Sequence, residues 1–113
     1  MDIKTLAIGL GVTAQITAAD LKSVQAAGYR AIICNRPDGE DAGQPRFAEI
    51  AKAAEKLGIR SVYQPIVAGQ LSDEDAMVFA QHLTELPGPV LAYCRSGARS
   101  ATLWLRAQVS GAV

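Results

Sequence analysis

The chain is poor in the residues that build metal centres and disulfide frameworks: its 113 residues include two cysteines and one histidine. Cys34 and Cys94 stand sixty positions apart and make no disulfide scaffold, and His82 alone leaves no zinc ligand set. This predicts no metal, no cofactor and a reducing compartment, the cytoplasm. Charge of one sign is missing too, since eleven Lys and Arg balance eleven Asp and Glu. Outside one loop no basic cluster marks a nucleic-acid or membrane surface, so neither is expected as a partner. Long hydrophobic runs are also absent. Leu6 to Val12 is too short to span a bilayer, and Met1-Asp2-Ile3-Lys4 is not the cationic start of a signal peptide. There are no repeats and no low-complexity linkers. With half of its residues hydrophobic and 19% charged, the chain reads as one globular domain over 1–113.

Short apolar runs alternate with segments of helical period. Strands are expected at 4–8, near 12–16, at Arg30–Cys34, at Arg60–Pro65 and at 89–93. Thr17-Ala18-Ala19-Asp20 has the spacing of a capping box with Asp in the Glu position, and opens a helix to Ala27. Gly28 stops it. A second helix runs from Pro45 to Leu57 and ends at Gly58, and a third follows the cap at Ser72 to Leu86. The last, Ala101 to Val109, is apolar nearly all round and reads as centrally buried, with Trp104 in the core. The expected fold is α/β: three layers, a mostly parallel central sheet and helices on both faces. Ligands of such sheets bind beyond the carboxyl ends of the strands. The loops 35–44, 67–70 and 94–99 should meet there.

The richest stretch is Tyr93-Cys94-Arg95-Ser96-Gly97-Ala98-Arg99-Ser100. A strand delivers a cysteine into a short glycine-containing loop that feeds a helix. Unpaired N–H groups and the helix dipole make such an N-terminus an anion site. They also lower a cysteine's pKa from ~8.5 into the range ~3.5–7.5, where the nucleophilic thiolate predominates. A buried core cysteine needs no such cradle.

"RPDGE" at 36–40, "GQLSDED" at 69–75 and "GPVLAYCRSGARS" at 88–100 resemble the β-lactamase-hydrolase-like, protein-phosphatase-like domain family over essentially the whole chain. The resemblance implies a fold of the tyrosine-phosphatase type with Cys94 as nucleophile. It implies an oxyanion cradle of backbone N–H groups from Arg95, Ser96, Gly97, Ala98 and Arg99, and a two-pronged clamp from the Arg99 side chain. Ser100 would hydrogen-bond the thiolate, and Gly97 suits a left-handed turn.

Two departures bear on the chemistry. Four residues separate Cys94 from Arg99, where tyrosine phosphatases have five and rhodanese-type sulfurtransferases resemble this length. The loop Val67-Ala68-Gly69-Gln70 also has no acid where such phosphatases place theirs, and general acid catalysis is worth ~10²–10⁴-fold. The first expectation is therefore sulfur transfer through a Cys94 persulfide. It calls for a small anionic or persulfide substrate and a thiol acceptor, with a separate persulfide-oxidising enzyme as a candidate partner. The second is a phosphatase with a phosphocysteine intermediate, the third a non-enzymatic persulfide or anion sensor.

Arg36 is expected either to add positive field for the substrate or to be a solvated loop charge. Asp38 is expected either to serve the turn Arg36-Pro37-Asp38-Gly39 or to join the site. Asp38 and Glu40 can also replace the missing acid or pair with Arg99 or Arg95. Gln15 and Gln70 lie in loops within reach of substrate. Cys34 reads as a small core residue, with a reversible disulfide to Cys94 as the alternative. His82 reads as a surface residue.

Overall fold

The computed structural model describes residues 1–112. Five strands form one sheet in the order β1 (Lys4–Ala7), β2 (Leu10–Thr13), β5 (Val90–Tyr93), β3 (Ala31–Cys34), β4 (Arg60–Tyr63). The β1–β2 hairpin is antiparallel and every other pairing is parallel. The second strand starts two residues earlier than expected because Gly9, in the left-handed region, closes a tight hairpin after β1.

Helices α1 (Leu21–Ala26) and α2 (Phe47–Lys56) cover one face, and α3 (Asp73–Glu85) and α4 (Ala98–Val109) the other. The central strands are buried on both sides, and their alternation divides the core. Ile32 and Leu91 face Leu21, Val24 and Ile50. Ile33 and Ala92 face Phe79, Leu103 and Ala107.

Two helices differ from their sequence reading. Residues Ala18–Asp20 form a 3₁₀ turn before α1, within the capping box of Thr17 and Asp20. Helix α4 is less enclosed than expected: it buries Ser100, Leu103 and Ala107, while Leu105 and Val109 are exposed. It also begins three residues early, at Ala98. Trp104 is half-buried and packs on the core.

The parallel register decides where the loops go. Thr13 and Cys34 both pair with Tyr93, and Cys34 pairs with Tyr63, so four strands end level. The segments after them, 14–17, 35–46, 64–72 and 94–97, therefore leave from one edge.

Candidate active site

Cys94 follows the last residue of β5 and is 1% exposed at the base of the loop. Gly97 turns the chain with φ 95° and directs its own N–H to the Cys94 sulfur at 3.0 Å. Helix α4 then starts at once, so the first-turn amides of Arg99 and Ser100 point the same way. Burial pushes the Cys94 thiol up. Donation from the N–H groups of Ser100, Arg99, Ser96 and Gly97 outweighs it, leaving the pKa below the usual thiol value. The Ala98 amide, expected in the cradle, instead donates to the Ser96 hydroxyl at 3.2 Å. The residue missing from the loop is made good by the helix. The Arg99 and Ser100 amides need no intrahelical partner and are free to serve the sulfur.

Arg99 is held end-on. Its Nη1 donates to Glu40 Oε2 at 2.6 Å and to the Ile66 carbonyl at 2.8 Å, and its Nη2 to Glu40 Oε1 at 2.8 Å. A guanidinium has five N–H donors. The two left over are on Nε and Nη2, the edge that can grip an oxyanion in two places. The Glu40 pair comes first in holding the Arg99 pKa up, burial opposes it, and Cys94 adds to the rise.

Arg36 does not face substrate, contrary to expectation. It is 4% exposed and spends its donors on the scaffold: Nε on Glu40 (3.0 Å), Nη1 on Gln15 (3.2 Å), Nη2 on Asp41 (2.7 Å). Asp41 in turn lies 3.5 Å from Arg95, whose side chain is 68% exposed at the rim. The chain of charges Arg95, Asp41, Arg36, Glu40, Arg99 thus fastens both arginines of the cysteine loop to the segment after β3. Glu40 sits between two guanidinium groups. Hydrogen bonds from Arg99, opposed by burial and joined by those from Arg36, lower its pKa to about 2. It is ionised at neutral pH and does not supply a proton.

Asp38 is also placed outside the site. Its Oδ1 accepts the Phe47 N–H at 2.8 Å, satisfying an open donor of α2, and its own N–H donates to the Tyr63 hydroxyl at 2.9 Å. The turn alternative is the one realised, and the contact with α2 adds to it. Ser100 departs from expectation in its side chain: the hydroxyl donates to Asn35 Oδ1 at 2.8 Å, not to the thiolate.

Asn35 was not singled out from sequence. Its one legible signal is position: a polar residue directly after a buried strand, at the edge where the loops meet. Asp41 carries no sequence signal beyond being one more charge in the loop after β3. Gln15 contacts the cysteine loop by donating its N–H to the Arg95 carbonyl at 3.3 Å. Gln70 serves a turn through its N–H to Val67. Cys34 belongs to the α1/α2 core and its S–H donates to the Arg36 carbonyl at 3.3 Å. Burial raises its pKa, so it lacks thiolate character. It shares the face of Tyr93, whereas the Cys94 sulfur turns to the start of α4. His82 lies in the last turn of α3, at the opposite end of the sheet from the loops. Among the described residues no three His, Cys, Asp or Glu side chains cluster as a metal site. No described helix is long and apolar enough to cross a membrane.

The model of one family, the phosphatase-like domain of beta-lactamase hydrolase-like protein, matches residues 2–111. A beta-lactamase hydrolase-like protein of Agrobacterium fabrum is 35% identical over 96 residues, covering 85% of this chain and 22% of its own length. The chain thus spans about a fifth of the curated relatives it matches. Among solved structures, a candidate phosphatase from Neisseria meningitidis superposes with TM-score 0.80 at 36% identity, covering 90% of this chain and 83% of that one. TpbA of Pseudomonas aeruginosa, in complex with pTyr, superposes with TM-score 0.70 at 18% identity, over 96% of this chain and 64% of its own. That likeness is one of fold. The family match and the Neisseria structure overturn the expectation of a sulfurtransferase. Counting residues between Cys94 and Arg99 misled, because the count does not say where the helix begins.

Proposed function

The chain belongs to the phosphatase-like domain family of beta-lactamase hydrolase-like proteins, and from that premise we propose that it is a cysteine-dependent phosphatase of small anionic phosphate esters, acting as a single domain over 1–113. The observation that carries this reading is Cys94 at the start of α4, with the Gly97 N–H 3.0 Å from its sulfur and its pKa lowered by the surrounding amides, beside the free edge of Arg99. The thiolate attacks phosphorus, forming an S–P bond as the P–O bond to the leaving group breaks. Arg99 and the loop amides hold the non-bridging oxygens. Water then attacks phosphorus, the S–P bond breaks, and its electron pair returns to sulfur. TpbA in complex with pTyr makes an aryl phosphate the first substrate to try. A nucleophilic thiol with no disulfide partner favours a reducing compartment, the cytoplasm.

The carboxylates nearby are committed: Glu40 between two arginines, Asp41 on Arg36, Asp38 on α2. The segment 67–70 carries none. The leaving group therefore departs as its own anion, which favours aryl phosphates and phosphoanhydrides over alkyl phosphates. We expect kcat/KM for p-nitrophenyl phosphate to exceed that for O-phosphoserine by ~10²-fold or more, the scale of the missing acid. Cys94→Ser and Arg99→Ala should each abolish turnover. Equal rates on the two substrates would contradict the leaving-group reading, and turnover surviving in Cys94→Ser would contradict the nucleophile.

A further inference from the structure

Asn35 is fully buried and makes four hydrogen bonds, each to a different part of the site's foundation. Its N–H donates to the Tyr93 carbonyl at 2.7 Å, and its carbonyl accepts the Ile66 N–H at 3.0 Å. Its side-chain Nδ2 donates to the Gln64 carbonyl at 3.0 Å. That last bond fixes which way the amide faces, so the acceptor Oδ1 is the end turned to Ser100, 2.8 Å from its Oγ. A serine hydroxyl has one proton to give, and Ser100 gives it to Asn35. Ser100 also stands in the first turn of α4, whose N–H groups, its own among them, lower the Cys94 pKa. The residue thus stands between two acceptors, the Asn35 oxygen that its hydroxyl holds and the sulfur that its backbone serves.

We infer that Asn35 is a positioning residue that competes with the Cys94 thiolate for the Ser100 hydroxyl. While Asn35 holds the proton, the thiolate is stabilised by amides and Arg99 alone. It therefore keeps the basicity with which it attacks phosphorus. When the S–P bond breaks and charge returns to sulfur, a hydroxyl that swings over stabilises the leaving thiolate. Asn35 sets the balance between the two steps. Hydrogen bonding to the charged form of a group lowers its pKa, so a freed hydroxyl registers directly on Cys94.

The titratable and charged groups around the sulfur are Arg99, from α4, and Cys34, from β3, with Glu40 acting behind Arg99. None of them hydrogen-bonds the Asn35 side chain, whose partners are Gln64 and Ser100.

The test is the pH dependence of iodoacetamide alkylation at Cys94, in a Cys34→Ala background, for the full chain and for Asn35→Leu, Ser100→Ala and the double variant. Asn35→Leu removes the acceptor, frees the hydroxyl and should lower the Cys94 pKa by about one unit, the worth of one charge-assisted hydrogen bond. Ser100→Ala removes a hydroxyl that is not on the sulfur and should leave that pKa unchanged. The double variant should return to the Ser100→Ala value, since without the hydroxyl Asn35 has nothing to withhold. A merely structural role for Asn35 predicts the same shift with and without Ser100, which overturns the proposal. A rise of about half a unit or more in Ser100→Ala overturns it too, because the hydroxyl would then already serve the thiolate. Should Asn35→Leu not fold, Asn35→Ala, which removes the same acceptor, takes its place in the comparison with and without Ser100. The mechanistic meaning rests on the phosphatase reading, but alkylation does not. Failure to hydrolyse phosphate esters and failure of this coupling are separate outcomes.

Discussion

At the scale of single residues, Glu40 governs the geometry of the site from outside it. Its two oxygens take three hydrogen bonds from Arg36 and Arg99, and so fix the plane in which Arg99 offers its remaining donors. Glu40→Gln keeps the shape but sets an amide N–H₂ against guanidinium donors. Arg99 should then lose its fixed orientation and kcat/KM on an aryl phosphate should fall roughly 10–100-fold, the scale of ~1.5–3 kcal/mol for a charged hydrogen bond. Stability should change with it. The Glu40 pKa is about 2 against the ordinary 4.5. Because the folded value is the lower one, its contribution is present above about 4.5 and is lost as pH falls towards about 2. Thermal unfolding of the two proteins at neutral pH and near pH 3 should show a smaller acid loss in Glu40→Gln. Equal losses, with kcat/KM unchanged, would remove Glu40 from this role.

At the scale of elements, the decisive joint is the one between β5 and α4. Gly97 takes the left-handed conformation there, and a Cβ on it would stand 3.3 Å from the backbone carbon and oxygen of Thr13. Both restrictions point the same way, since other residues lose ~1–2 kcal/mol in that conformation. Gly97→Ala should lower stability by about this amount, or ~4–8 °C in Tm per kcal/mol for a domain of this size. It should also displace the amide that donates to Cys94, raising the thiol pKa and slowing alkylation at neutral pH. An unchanged Tm together with an unchanged alkylation rate would show that the turn tolerates a side chain. Cys34 supplies the internal control, as burial raises its pKa while amide donation lowers that of Cys94.

At the scale of the whole molecule, sequence and structure agree where the determining forces are local. The alternation of apolar strands with helical segments, glycines such as Gly28 and Gly58 behind the first two helices, and the capping box at Ser72–Asp75 all speak within a few residues. The three-layer sheet followed from them, as did the expectation that loops converge beyond the carboxyl ends of its strands. Partners distant in sequence were not legible. Arg36 reads as a free cation until β2 and β3 bring Gln15 against it, and Ser100 reads as a thiolate donor until Asn35, 65 residues away, takes its proton. The chemistry was misjudged for a related reason. The spacing of Cys94 and Arg99 is a count along the chain, whereas the amides on the sulfur depend on where α4 starts.

All three scales converge on one covalent event at Cys94, and rapid-quench mass spectrometry of the intact protein during turnover of p-nitrophenyl phosphate observes it directly. The expected result is a single added phosphoryl group on Cys94, formed within the first turnover and absent from Cys94→Ser. Steady turnover with no covalent species on quenching, or a phosphoryl group carried by another residue, would contradict it.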